Sequence, residues 1–113
     1  MCASVTDAAV NYHAERRGNC AQSVAAGYAE KTGKRGELVD ELKRCGGGNA
    51  PGGMCGALYA ALQIAGDDNQ EKVKQHFGSF TDNHFLCKEI RGGNIIPCRE
   101  CVRHAAEAIE DLA

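Results

Sequence analysis

From Gly52 to Ala65 the chain reads Gly-Gly-Met-Cys-Gly-Ala-Leu-Tyr-Ala-Ala-Leu-Gln-Ile-Ala. Glycines open an almost wholly apolar run, which predicts a helix over Met54–Ala65. Being apolar on every side, that helix belongs at the centre of a domain. It is also far too short to span a bilayer, which takes about 20 apolar residues. Ahead of it lies Cys45-Gly46-Gly47-Gly48-Asn49-Ala50-Pro51, so that five glycines and one proline fall within the ten residues 45–54. Such a segment cannot be helical, and it lets backbone pass close to a neighbour.

Working outward, five more helical regions are predicted. The first covers Thr6–Arg17, where Ser4 followed by Asp7 resembles a capping box. The second runs to Gly33 from Asn19, an N-cap residue with Gln22 in the matching reach-back position. A third, Gly36–Cys45, carries Leu38, Val39 and Leu42 on one face and stops at Gly46-Gly47-Gly48. After the central helix, Gln70–Arg91 is amphipathic with a break expected near Gly78. Gly92-Gly93-Asn94 forms a turn, and Pro97 suits the first position of a last helix reaching Leu112. That helix places Val102, Ala105, Ala106 and Ile109 on one face. No segment alternates with period two over a useful length. The expected fold is all-α: one compact domain over residues 1–113, a bundle of about five helices.

Composition agrees with that reading. Of 113 residues, 43% are apolar and 25% charged, which excludes a disordered or collagen-like chain. There are seventeen alanines, no tryptophan, three tyrosines and three phenylalanines, so the core is built from small aliphatic side chains. Small side chains favour closely spaced helices over strands. A chain of this size buries about two thirds of its unfolded surface, enough for one core without staples. The net charge of −2 gives no electrostatic footprint for nucleic acid or an anionic membrane. Met1–Asp7 has neither a basic region nor an apolar core of the signal-peptide kind, so a cytoplasmic location is expected.

Seven cysteines are the main functional signal. In a reducing compartment, dense thiols point to metal binding or redox chemistry more than to structural disulfides. Their placement is not random. Cys20 follows Asn19 in the first turn of a predicted helix, Cys55 opens the central one, and Cys98 follows Pro97 at the start of the last. A helix N-terminus offers unpaired N–H groups and the positive end of the macrodipole, which stabilise thiolate. The same N–H groups can donate to the sulfurs of a thiolate-ligated cluster, and Gly52, Gly53 and Gly56 would shape the loop around Cys55. The competing explanation is that each cysteine is a small buried hydrophobe; three in the same setting weigh against it. Cys87, alone in Phe85-Leu86-Cys87-Lys88, reads as core.

Cys98 and Cys101 form a C-x-x-C pair whose sulfurs share one helix face, suited to a metal or a dithiol. No second close pair supports a ribbon-type zinc site, and no βαβ pattern surrounds it. Gly46–Gly53 follows a helix and lacks the Gly-Lys-Ser/Thr ending of a phosphate loop. His13, His76, His84 and His104 have no metal-motif spacing. Glu107, Glu110 and Asp111 read as the solvated face of the last helix.

Four motifs in order resemble the C_GCAxxG_C_C family of redox-active proteins. Asn19-Cys20-Ala21-Gln22-Ser23-Val24 is similar to its N-C-A-Q opening, and Gly53-Met54-Cys55-Gly56-Ala57-Leu58 to its central motif. Phe85-Leu86-Cys87-Lys88-Glu89-Ile90 is similar to its third cysteine region. Cys98-Arg99-Glu100-Cys101-Val102 through Ala105-Ala106 resembles the last. The resemblance covers residues 16–112, with Ala60 where the central motif ends in glycine. It implies Cys20, Cys55, Cys87 and Cys98 as the redox-active or metal-ligating set, with Cys101 and Cys45 as further candidate thiols and Cys2 an extra. A related helical region in split-Soret cytochromes c has cysteines associated with an iron–sulfur centre. Haem does not carry over, because Cys101 is followed by Val102 rather than the histidine of C-x-x-C-H.

The leading expectation is a four-thiolate iron–sulfur protein, with a 2Fe–2S centre, for electron transfer or redox sensing alongside a partner protein. Thiol–disulfide exchange by the same cysteines and a zinc site of four cysteine ligands are the alternatives, and a helical interaction module with packing cysteines is the plainest one. The apolar surface of helices this short is compatible with a homodimer.

Overall fold

The computed structural model describes residues 5–33, 36–43, 53–66, 68–81, 83–93, 95 and 98–110, and for Cys87, Arg91 and Cys98 the backbone alone. Ser4, Cys2, Cys45 and Gly52 lie outside the described residues. Seven helices are present among those described: α1 Val5–Ala14, α2 Cys20–Thr32, α3 Glu37–Glu41, α4 Gly56–Ala65, α5 Gln70–Thr81, α6 Cys87–Gly92 and α7 Cys98–Glu110. The radius of gyration is 12.2 Å, below the value of about 13 Å typical of a domain this long. The fold is therefore one compact all-α body. None of the described helices is long and apolar enough to cross a membrane.

The apolar run forms the centre, as its composition requires. On α4, Ala57, Leu58, Ala60 and Ala61 are fully buried, and the helix packs against α2, α5 and α7. Its exposed residue is Gln63. Ala60, standing where the motif has glycine, fits the core without exposure. Around α4, the predicted face of α7 (Val102, Ala105, Ala106 and Ile109) is fully buried, with Val24 of α2 and Val73 and Phe77 of α5.

The fifth predicted region differs from expectation. It is two helices, and the break is not at Gly78 but between Thr81 and Cys87. Gly78 stays helical because the returning loop lies against it: a Cβ there would sit 2.8 Å from Asn83 Oδ1 and 3.3 Å from Phe85. The reversal is stabilised locally. The Thr81 hydroxyl donates to the His84 carbonyl at 2.7 Å, the Asn83 amide donates to Gly78 O at 2.9 Å, and Asn83 takes φ 62°. Asparagine tolerates that left-handed conformation better than most residues.

Glu110 departs from the solvated role expected of it. From the end of α7 its carboxylate accepts hydrogen bonds from the Val5 and Thr6 amides, both at 3.0 Å, and from the Thr6 hydroxyl at 2.9 Å. It thus caps α1 in trans and ties the end of the last helix to the start of the first. Partial burial pushes the carboxyl pKa up, but the Thr6 and Val5 amides, the Thr6 hydroxyl and the Lys31 charge outweigh it and hold it below its usual range. A depressed folded-state pKa gives stability that is complete above the unfolded carboxyl pKa and lost as pH falls through the folded one. Glu110→Gln is expected to cost about 1–2 kcal/mol at pH 7, the charge-assisted bonds being partly solvated. Urea titration at pH 7 and pH 3 checks this: the gap between variant and parent should shrink at the lower pH.

Candidate functional site

The site is assembled where α4, α6 and α7 begin. Gly53 turns the chain at φ 76°, a conformation open to glycine and strained for other residues. A Cβ there would meet nothing within 4 Å. This glycine is therefore required by the turn, not by the close backbone approach expected of it. Met54 then pairs with Leu86 in an isolated antiparallel bridge, and the Cys55 amide donates to Phe85 O at 2.8 Å. Cys55 is the N-cap of α4, with ψ 126°, and Cys87 begins α6 directly after Leu86. The bridge thus sets the starts of these two helices side by side. Gly56 is the first, buried residue of α4.

Cys55 and Cys101 come together. Cys55 is 4% exposed and Cys101 3%, and the Cys101 thiol hydrogen-bonds to the Cys55 sulfur. Cys101 sits one turn into α7 on the face that packs against α4. That bond is the largest influence on Cys55, whose pKa falls from 9.0 to about 7. Burial acts in the opposite direction, and the Leu58 and Ala57 amides lower the pKa further. No formal side-chain cap closes at Cys55, yet these two amides point at its sulfur from the open end of α4. A buried thiol is ordinarily pushed up. Here a thiol donor and a helix start prevail over desolvation.

Cys20 occupies a different corner. It is the first residue of α2, half-buried, and packs against the core. Its motif neighbours have local work. The Asn19 side chain accepts from the Gln22 amide at 2.7 Å, and Gln22 Oε1 accepts from the Asn19 amide at 3.1 Å, closing the predicted capping box. Asn19 Nδ2 also donates to the carbonyls of Leu42 and Lys43, at 3.2 and 2.8 Å, and Gln22 Nε2 donates to Val39 O at 2.9 Å. The asparagine and glutamine beside Cys20 therefore fix α3 against the start of α2.

Cys20, Cys55 and Cys101 are thiols rather than half-cystines. A tetrahedral zinc site brings its thiolates to about 3.8 Å of one another. Among the described residues these three do not form such a set. The structure joins Cys55 to Cys101, which the resemblance leaves outside its four. For Cys87 and Cys98 it gives the helix starts, α6 beside Cys55 and α7 one turn before Cys101. Sequence spacing could not find the Cys55–Cys101 pair, because 46 residues and two intervening helices separate its members.

A cleft of about 710 Å³ opens where the end of α1 meets the start of α7, lined by His13, Arg16, Gly18, Arg99, Glu100 and Arg103 among others. Burial lowers the pKa of His13, which favours its neutral form. A second cluster, His76, His104 and Glu107, lies between α5 and α7. The chain matches no protein-family model, no curated protein and no solved structure in the three comparisons made.

Proposed function

We propose that this protein is a cysteine-based redox protein whose reacting pair is Cys55 and Cys101, cycling between dithiol and disulfide. The observation that supports this most directly is the hydrogen bond between the two buried thiols, with Cys55 held near pKa 7 at a helix start. A thiol with a pKa near ambient pH combines thiolate fraction and nucleophilicity well. In the reaction, the Cys55 thiolate attacks a disulfide RSSR, forming a mixed disulfide and expelling RS⁻. The Cys101 proton passes to that leaving thiolate. Cys101 then attacks the Cys55 sulfur and expels the second RS⁻, which takes a proton from water. Two electrons move from the pair to RSSR. Access to the buried sulfurs requires the start of α4 to part from the Phe85–Leu86 segment, to which the single Met54–Leu86 bridge and its Cys55 amide bond join it among the described residues. A cytoplasmic setting, where the dithiol is kept reduced, belongs to this reading.

The second reading is the iron–sulfur one, with Cys20, Cys55, Cys87 and Cys98 as ligands, as the family resemblance implies. The side-by-side starts of α4 and α6 favour it. In that case the cluster supplies one-electron exchange, and the amides of Ala57 and Leu58 stabilise charge at Cys55 sulfur.

One experiment separates the two. Protein purified without oxygen is assayed for iron, sulfide and zinc, then treated with a small disulfide and mapped by mass spectrometry. The dithiol reading expects a metal-free chain that loses two thiols and yields a Cys55–Cys101 linked peptide. About two iron and two sulfide per chain would establish the cluster reading instead. Oxidation that never links these two cysteines would overturn the dithiol reading.

A further inference from the structure

We infer that His76, His104 and Glu107 form a binding site for a divalent transition-metal ion of the zinc class, on the surface where α5 packs against α7. The site is independent of the cysteines. His104 and Glu107 stand three residues apart on α7, so they share one face. His76 reaches them from α5. One donor atom from each of the three lies within 4.8 Å of the others.

The distances are near those of a common ion, which the His104–Glu107 pair would reach by opening its hydrogen bond by about 0.6 Å. His104 Nδ1 is 2.8 Å from Glu107 Oε1, and His76 Nε2 is 3.6 Å from the same oxygen. With bonds of about 2.1 Å, two ligands of a tetrahedral ion stand about 3.4 Å apart. Glu107 lies within ion-pair range of both histidines, but it hydrogen-bonds His104 alone and leaves the His76 ring without a hydrogen bond. Its Nε2 atom is shielded from solvent and has no hydrogen-bond partner, 3.6 Å being too long for one. Burying a ring nitrogen without a partner is costly, and a metal ion would satisfy it.

Phe80 supplies a second peculiarity with the same explanation. Among the described residues it is the exposed large hydrophobic side chain, 42% accessible. Its ring stacks on His104 at 3.7 Å with 5° between planes, and tilts against His76 at 5.3 Å. Packing of this kind fixes both imidazoles and lowers the local dielectric, as the shell around a metal centre does. The donor set identifies the class of ion: two imidazoles with one carboxylate suit zinc and its neighbours rather than magnesium or calcium. Side-chain exposures of 39% for His76 and 38% for Glu107 leave room for water as the remaining ligand. Three protein ligands plus water is an open site, not a closed structural one.

The test follows the imidazole NMR signals of the whole reduced protein as zinc chloride is added. One equivalent is expected to shift the ring signals of His76 and His104 and leave His13 and His84 in place. Zinc held by thiolates alone would move none of the four. In His104→Gln, zinc affinity read at the His76 ring is expected to fall at least about tenfold. The inference is overturned if His76 and His104 do not respond at stoichiometric zinc, or if His104→Gln leaves the His76 response unchanged. Should that variant fail to fold, the response of the four histidines in the parent decides the matter.

Discussion

Replacing Cys101 by alanine is expected to move the midpoint of the pH–rate profile for Cys55 alkylation upward from about 7. The Cys101 thiol donor is the largest influence holding that value down, while burial opposes it. Without the donor, desolvation and the two amides of α4 compete alone. A return to the ordinary 9.0 would cut the thiolate fraction at pH 7 from about one half to about one per cent, a loss of about fiftyfold. A more basic thiolate is intrinsically more nucleophilic, with a Brønsted slope of about 0.4–0.5, which restores about sixfold to tenfold. The net expectation is a rate about five- to eightfold lower at pH 7 and a plateau about six- to tenfold higher above pH 9. That crossing of the two profiles is the signature. A change in accessibility would move the rate in one direction at every pH. Cys101→Ser keeps a donor of similar length and should hold the midpoint closer to that of the parent. An unchanged midpoint in Cys101→Ala would show that Cys101 does not set the reactivity of Cys55.

This pair also marks how far the sequence can be read. The central helix is legible because twelve residues with one polar member have only one place in a small domain. The capping box at Asn19 and Gln22 is legible because its partners are three residues apart. Helix starts at Cys20 and Cys98 follow from local asparagine and proline signals. The central helix, expected from Met54, begins instead at Gly56, because Met54 is taken up by the bridge to Leu86 and Cys55 is the N-cap. What joins Cys55 to Cys101 is the docking of α7 on α4, and no local pattern encodes docking. The same holds for Glu110, which looks solvated on its own helix and is engaged only once α1 lies beside it. It holds again for His76, which reaches His104 and Glu107 across two helices. The misplaced break at Gly78 has a related cause. Glycine reads as a helix interruption, whereas here its missing side chain makes room for Asn83 and Phe85 from the returning loop.

Gly27 is a position where two helices meet backbone to backbone, and Gly27→Ala is expected to destabilise the fold by about 2–3 kcal/mol. A Cβ at Gly27 would lie 2.7 Å from the Val5 carbonyl oxygen and 2.8 Å from both the amide nitrogen and the Cβ of Ala9. Two of these three atoms are backbone, so no side-chain rotation relieves the overlap and α1 must move as a body. That movement is itself resisted, because Glu110 binds the Val5 and Thr6 amides at the same end of α1. Opposing the clash is the better helix propensity of alanine, worth about 1 kcal/mol in the interior of α2. The overlap prevails, since shifting a packed helix costs about 1–3 kcal/mol and here also lengthens two charge-assisted hydrogen bonds. In a domain of this size the melting temperature should fall by about 10 °C. Gly36→Ala provides the contrast: Gly36 has φ −59° and nothing within 4 Å of a Cβ. There alanine is expected to be neutral or stabilising by about 0.5 kcal/mol, through the unfolded state alone. Melting curves of the two variants test the geometry directly, because their chemistry is identical and only the room around the added methyl differs. If Gly27→Ala melts with the parent, α1 and α2 are not in backbone contact at this point.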